Sequence, residues 1–308
     1  MGKTSCVIGW WLTFPARDIE GVMVADVSTY TQVGYRDDAG LVRPDVLKDD
    51  LAALEVDYRD ITLEQLGRFV DLEKLAGHEE EFASLLDKLR VIIAGDRTYL
   101  AMAKYLAERS DFDVFSIYFR GVDLSCHWFW RYYQPHPLDK VITDTVVEVF
   151  GSVIPNYYVY TDEILGELLA LFPEDRSVVL ISDHGFGGVF DGQGGRRPGA
   201  KAHRPEGVFA VRSPIHEAGA RFGNTPIMDV CPTILALIGL PASEEMPGAV
   251  IRDGLDGTGL RWVEHLESRR VESYQALAPV YSDSLGVGED SELDEAVIQQ
   301  LRSLGYID

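Results

Sequence analysis

The chain has 308 residues, 46% of them hydrophobic, and carries 50 Asp plus Glu against 28 Lys plus Arg, a formal net charge of -22. That length and apolar content support one large α/β domain or two small ones, and the acid excess argues against nucleic acid or anionic lipid as a partner. Three cysteines, Cys6, Cys126 and Cys231, are too few and too scattered for a disulfide framework, and no apolar stretch is long enough to span a bilayer.

Along the chain, apolar β-branched runs alternate with helical patterns, which predicts a mostly parallel sheet covered by helices. The opening run from Cys6 to Phe14 is apolar but short, with no charged leader and no small-residue cleavage site. It reads as a strand, so the default compartment is the cytoplasm unless a lost N-terminus carried an export signal. Expected strands are Ser5–Leu12, Gly21–Ala25, Val114–Phe119, Val178–Ser182 and Gly207–Val211. Expected helices are Pro44–Leu54, Leu63–Phe69, Glu79–Glu108, Ile154–Phe172 and Ile227–Ile238, the last stopped by Gly239 and Pro241. Residues 1–265 are expected to form the α/β domain, with Thr29–Gly77 as a cap or insert. Residues 266–308 are expected to be a polar tail ending in a small helix at Leu293–Leu304.

Chemistry concentrates in three short stretches: Asp123 with His127, the run Ser182-Asp183-His184-Gly185, and His203. Only seven histidines occur, and three of them fall in this set. Carboxylate and imidazole are the ligands a divalent transition metal takes in a hydrolase, and five such residues nearly furnish two sites. A lone D-x-x-x-H is better read as a capping Asp and a satisfied surface His; the three groups together point to metal. Each follows a strand-like run or sits in a glycine-rich loop, and ligands in open α/β sheets lie outside the carboxyl ends of the strands. His203 lies in the loop Gly187–Glu206, which is locally basic through Arg196, Arg197, Lys201 and Arg204. On an acidic chain that reversal fits an anionic substrate, with Arg197 and Lys201 as its contacts, or equally a surface loop with incidental arginines. The aromatics Trp128, Phe129, Trp130, Tyr132 and Tyr133 read as core packing before they read as a base-stacking platform.

The order Asp123-x-x-x-His127, then Val-Val-Leu-Ile-Ser-Asp183-His184-Gly185, then His203 with Gly207-Val-Phe resembles the alkaline phosphatase superfamily. Within it, the likeness is to the type I phosphodiesterase/nucleotide pyrophosphatase branch. It extends through Thr225-Pro-Ile-Met-Asp229-Val-Cys-Pro232-Thr, Met246-Pro-Gly248 and the terminal Leu301-Arg-Ser-Leu-Gly-Tyr306, which is similar to the tails of related bacterial sequences. The resemblance implies a metal-dependent hydrolase of phosphate esters with two divalent ions, zinc by preference. Asp123, His127 and His203 would hold one ion, and Asp183 and His184 the second, together with a further Asp and a Thr or Ser nucleophile. It also implies a small phosphorylated or otherwise anionic substrate, and leaves the oligomeric state open.

In the branch that further Asp and the nucleophile precede everything read here, so the chain is expected to lack the first strand and nucleophile helix. One metal site would then be incomplete and activity weak or absent. Thr13, in Thr-Phe-Pro, is considered as a substitute nucleophile and disfavoured, since no metal-binding Asp precedes it. Asp26 lacks a matching context, Ser125 reads as a turn residue, and Gly2-Lys3-Thr4 lacks the upstream glycine of a phosphate loop. Three alternatives stay open: a non-catalytic metal-binding protein that keeps the fold, a phosphonate hydrolase, or a phosphomutase. A sulfatase is discounted because Cys231-Pro232-Thr233 has its proline one place early and no matching arginine.

Overall fold

The computed structural model describes residues 2–11, 13–26, 40–137, 139, 142–187 and 202–274. Several expectations lie outside these residues: Arg197, Lys201 and most of their loop, the first part of the 29–77 insert, and the tail helix at Leu293–Leu304. The chain divides into two compact units, residues 1–173 with 188–202, and residues 174–187 with 203–308.

The first unit is built on a four-stranded sheet. Strand β1 (Ser5–Ile8) pairs in parallel with β2 (Gly21–Val24) on one side and with β4 (Val114–Ile117) on the other. The short β3 (Val42–Arg43) adds to β2 antiparallel, giving the order β3-β2-β1-β4. Ile8 stands beside both Val24 and Ile117, so the three parallel strands end at one edge. Alternation along β1 and β2 buries Cys6, Ile8, Val22 and Val24. Lys3 pairs with Asp113 at 2.8 Å and the Thr4 backbone donates to the same carboxylate, so Gly2-Lys3-Thr4 pins the start of β1 to the approach of β4.

Helices α1 (Lys48–Ala52), α2 (Leu63–Leu66) and α3 (Leu72–Leu75) are short turns; Thr62 and Gln65 close α2 with a reciprocal capping box. The long α4 (Ala83–Ala107) begins four residues later than expected. Ahead of it, side chains serve the preceding turn instead: Glu79 accepts from the Gly77 N–H, and His78 meets Glu81 at 2.8 Å. Leu86, Leu89, Ile93, Leu100 and Ala103 put the buried stripe of α4 at helical spacing. Helix α5 (Gly121–Tyr133), which sequence patterning does not reveal, packs against both α4 and α7 (Val153–Leu169). Between α5 and α7 lies α6 (Asp144–Phe150), capped by Thr143. Pro155 is tolerated in the first turn of α7, where no N–H is needed. Of the aromatics after Asp123, Phe129 is fully buried and stacks on Phe150, Tyr132 meets the same ring, and Tyr133 is exposed.

The second unit pairs β5 (Val178–Ile181) with β8 (Phe209–Arg212) antiparallel, Ile181 beside Phe209. A smaller antiparallel pair joins β6 (Gly185–Phe186) to β7 (His203–Arg204). Both ligand-bearing strands were expected in one parallel sheet; among the described residues β4 belongs to the parallel sheet and β5 to its own antiparallel pair. Helices α8 (Val230–Leu237) and α9 (Gly257–Glu267) are joined by the Trp262 indole, which donates to the Ala236 carbonyl at 2.9 Å. Residues 266 and 267, expected in an irregular tail, close α9, which Asp256 caps by accepting from the Thr258 and Gly259 N–H groups. No helix among the described residues is long and apolar enough to cross a membrane.

Candidate metal centre

Asp123 and His127 were expected just after a strand, and they stand on the first two turns of α5, the helix that follows β4. The i, i+4 spacing puts both on one helix face. There His127 Nε2 lies 3.3 Å from Asp123 Oδ1, with side chains 9% and 18% exposed. Asp123 makes no cap for its own helix, so the capping explanation fails for it. The start of α5 is held by what surrounds Gly121. A side chain there would meet Asp96 Oδ2 at 2.0 Å and the Tyr157 hydroxyl at 2.2 Å. Asp96 and Tyr157 are themselves buried, and the tyrosine hydroxyl donates to the carboxylate at 2.6 Å. This brace was invisible in the sequence because its members are distant along the chain and no motif marks them. Next to the pair, burial pushes the Cys126 thiol up to about 12, the Asp123 charge adding to the effect. Cys126 stays a neutral thiol and fills space.

In the second unit, Ser182 ties the end of β5 to the approach of β8: its hydroxyl accepts from the Val208 N–H at 2.7 Å, and its own N–H donates to the Val208 carbonyl. Asp183 and His184 follow, with His184 Nε2 3.7 Å from Asp183 Oδ2. His184 Nδ1 lies 3.0 Å from the Gly185 carbonyl, which can only accept, so Nδ1 carries the proton and the neutral ring's lone pair is on Nε2. The β6–β7 ladder sets Phe186 beside His203 and brings the His203 ring onto His184, centroids 3.6 Å apart and 14° from parallel. The carboxylate and two imidazoles that the sequence singled out here are thus neighbours through local pairing.

The remaining candidates have other occupations. The Thr13 hydroxyl donates to the Trp10 carbonyl, and Ser125 donates to the Val122 carbonyl at 2.7 Å inside α5. Asp26 is buried at the carboxyl end of β2, where its backbone carbonyl accepts from the Tyr99 hydroxyl at 2.9 Å. Beside Asp183 the second unit also contains a cavity of about 460 Å³, with Arg221 on its wall. Nothing periodic in Ala220-Arg221-Phe222 marks that arginine in the sequence.

A parallel sheet packed with helices, and carboxylate and imidazole donors following β4 and β5, accord with an α/β protein of the alkaline phosphatase superfamily, which the family match establishes. The chain belongs to the type I phosphodiesterase / nucleotide pyrophosphatase family, matching it over residues 5–213, roughly two thirds of the sequence. The family is one of hydrolases acting on phosphate esters. No curated protein matches the chain.

Proposed function

We propose that this protein is a metal-dependent hydrolase of phosphodiester or pyrophosphate bonds. In this reading Asp123, His127 and His203 hold one divalent cation, and Asp183 with His184 supplies the protein ligands of a second. The observation that carries the reading is the preparation of the donors before any ion arrives. Asp123 and His127 are set one helical turn apart at 3.3 Å, and the Gly185 carbonyl fixes the tautomer that gives His184 a ligating Nε2. Carboxylate oxygen and neutral imidazole nitrogen fit zinc or a neighbouring first-row cation, and the half-buried setting of the first pair limits competition from water. When bound, such ions polarise a phosphoryl oxygen and lower the pKa of a coordinated oxygen nucleophile. The chain's own residues orient the donors: the Asp96–Tyr157 brace sets the start of α5, and Ser182 holds the loop that presents Asp183.

The test is metal content by inductively coupled plasma mass spectrometry together with turnover of bis(p-nitrophenyl) phosphate. Stoichiometric zinc, and hydrolysis abolished by a chelator and restored by zinc, is the expected result. A chain that neither retains a transition metal nor hydrolyses the ester after zinc addition would refute the reading.

A further inference from the structure

The cavity beside Asp183 is too large for a phosphoryl group alone. Its volume of about 460 Å³ lies within the range of pockets that enclose an organic ligand. Its wall is divided by chemistry: Asp183 and Arg221 are charged, Phe209 and Phe222 aromatic, Val208 and Ile227 aliphatic. Phe209 and Phe222 meet edge to face, centroids 5.1 Å apart and 89° between planes, which fixes the Phe222 ring as a rigid surface. Val208 and Ile227 are 55% and 54% exposed, so apolar area stands ready to be covered by a ligand. Arg221 forms no ion pair and no side-chain hydrogen bond among the described residues, although the chain holds 50 acidic residues. A guanidinium without an ion pair, on the wall of a cavity that also carries aromatic and aliphatic side chains, matches a ligand that is anionic at one end and apolar at the other.

We infer that this cavity seats the organic arm of a phosphoester substrate, an aromatic or apolar group lying against Phe222, Val208 and Ile227, while Arg221 pairs with an oxygen of the adjoining phosphoryl group. The inference rests on the proposed hydrolase reading, in which Asp183 is occupied as a ligand and Arg221 is left to the substrate. It adds the substrate class: esters with a substantial aromatic or apolar substituent, over small alkyl phosphates.

The test is calorimetric titration of the full chain with phenylphosphonate and methylphosphonate, which lack a hydrolysable ester, with zinc supplied and again with chelator. Phenylphosphonate is expected to bind about tenfold more tightly or better, as burial of a ring's apolar area predicts. Phe222→Ala is expected to remove most of that preference and leave methylphosphonate binding unchanged. Arg221→Gln is expected to weaken both ligands, with partial recovery in Arg221→Lys, and circular dichroism melts verify that each variant is folded. Equal affinity for the two phosphonates, or a preference untouched by Phe222→Ala in a folded protein, overturns the inference even if hydrolysis is intact. A phenyl preference that survives in a chain unable to bind zinc or turn over ester supports the cavity's role and overturns the metal reading alone.

Discussion

Asp123 and His127 sit where a metal would be felt both by the chemistry and by the fold, and single substitutions separate the two. Under the proposed function, His127→Ala and His203→Ala should each lower kcat/KM by about 100-fold or more, above the loss typical of an outer-shell partner, and should reduce bound zinc. Thermal melts decide what the ion is for: a catalytic ion leaves the melting temperature of the variants near that of the parent, whereas a purely structural one lowers it together with metal content. The brace at Gly121 makes a different prediction. Gly121→Ala forces a methyl group against Asp96 and Tyr157 and should destabilise the protein by about 1–3 kcal/mol. Tyr157→Phe leaves the buried Asp96 carboxylate one donor short, a cost of about 1–3 kcal/mol in urea unfolding.

His216 belongs to the same scale. Its Nδ1 lies 2.6 Å from the Ser213 hydroxyl, and burial lowers the imidazole below its ordinary 6.5, with the Asp256 charge opposing. The folded state therefore favours the neutral ring. Its stabilising contribution is complete above the ordinary histidine value and is lost as pH falls through the lowered one. Urea midpoints should drop as pH falls below the ordinary histidine value, and His216→Gln should flatten that slope. The candidate ligand residues were legible in the sequence because their chemistry resides in residue type and spacing. Asp96, Tyr157 and Arg221 were not, because their meaning comes only from what folding brings beside them.

At the scale of elements, the run from Asp229 to Gly248 turns out to be a fastening. The Thr233 hydroxyl donates to the Asp229 carbonyl at 2.7 Å within α8 and accepts from the Ile251 N–H at 2.9 Å. Asp229 Oδ1 accepts from the Ala249 N–H at 2.9 Å, and Gly248 lies so close to Met228 that a side chain would strike its carbonyl at 2.0 Å. The Asp-x-x-Pro-Thr and Met-Pro-Gly motifs thus hold α8 against the strap that follows it. Thr233→Val should cost about 1–3 kcal/mol, since it leaves the buried Ile251 N–H without its acceptor. Strands β1, β2, β4, β5 and β8 and helices α4, α7 and α8 were predicted to within a few residues, because burial imposes its period directly on the sequence, whereas β3, β6, β7, α6 and α9 were not. Helix α5 was missed: Gly121 opens it, and the aromatic run Trp128–Tyr133 breaks any clean alternation of buried and exposed positions. The pairing of β5 with β8 was equally hidden, since register across a loop leaves no mark within either strand.

Across the whole molecule, the dominant quantity is the formal charge of -22. A polyanion repels an anionic ester until salt screens it, over a Debye length that shortens from about 30 Å at 0.01 M to about 8 Å at 0.15 M. For a phosphodiester substrate, kcat/KM should therefore rise with ionic strength across that range, with kcat little changed; a fall would mean that local cations such as Arg221 govern capture.

One turn of α5 fixes more than a distance. A residue added between β4 and Gly121 would swing carboxylate and imidazole about 100° around the helix axis together, so the bite of the chelate survives while its aim is lost. A residue added between Asp123 and His127 would open the bite itself. Under the proposed function, the first lesion should leave the pair able to bind zinc but misdirected, and the second should remove zinc binding by this helix.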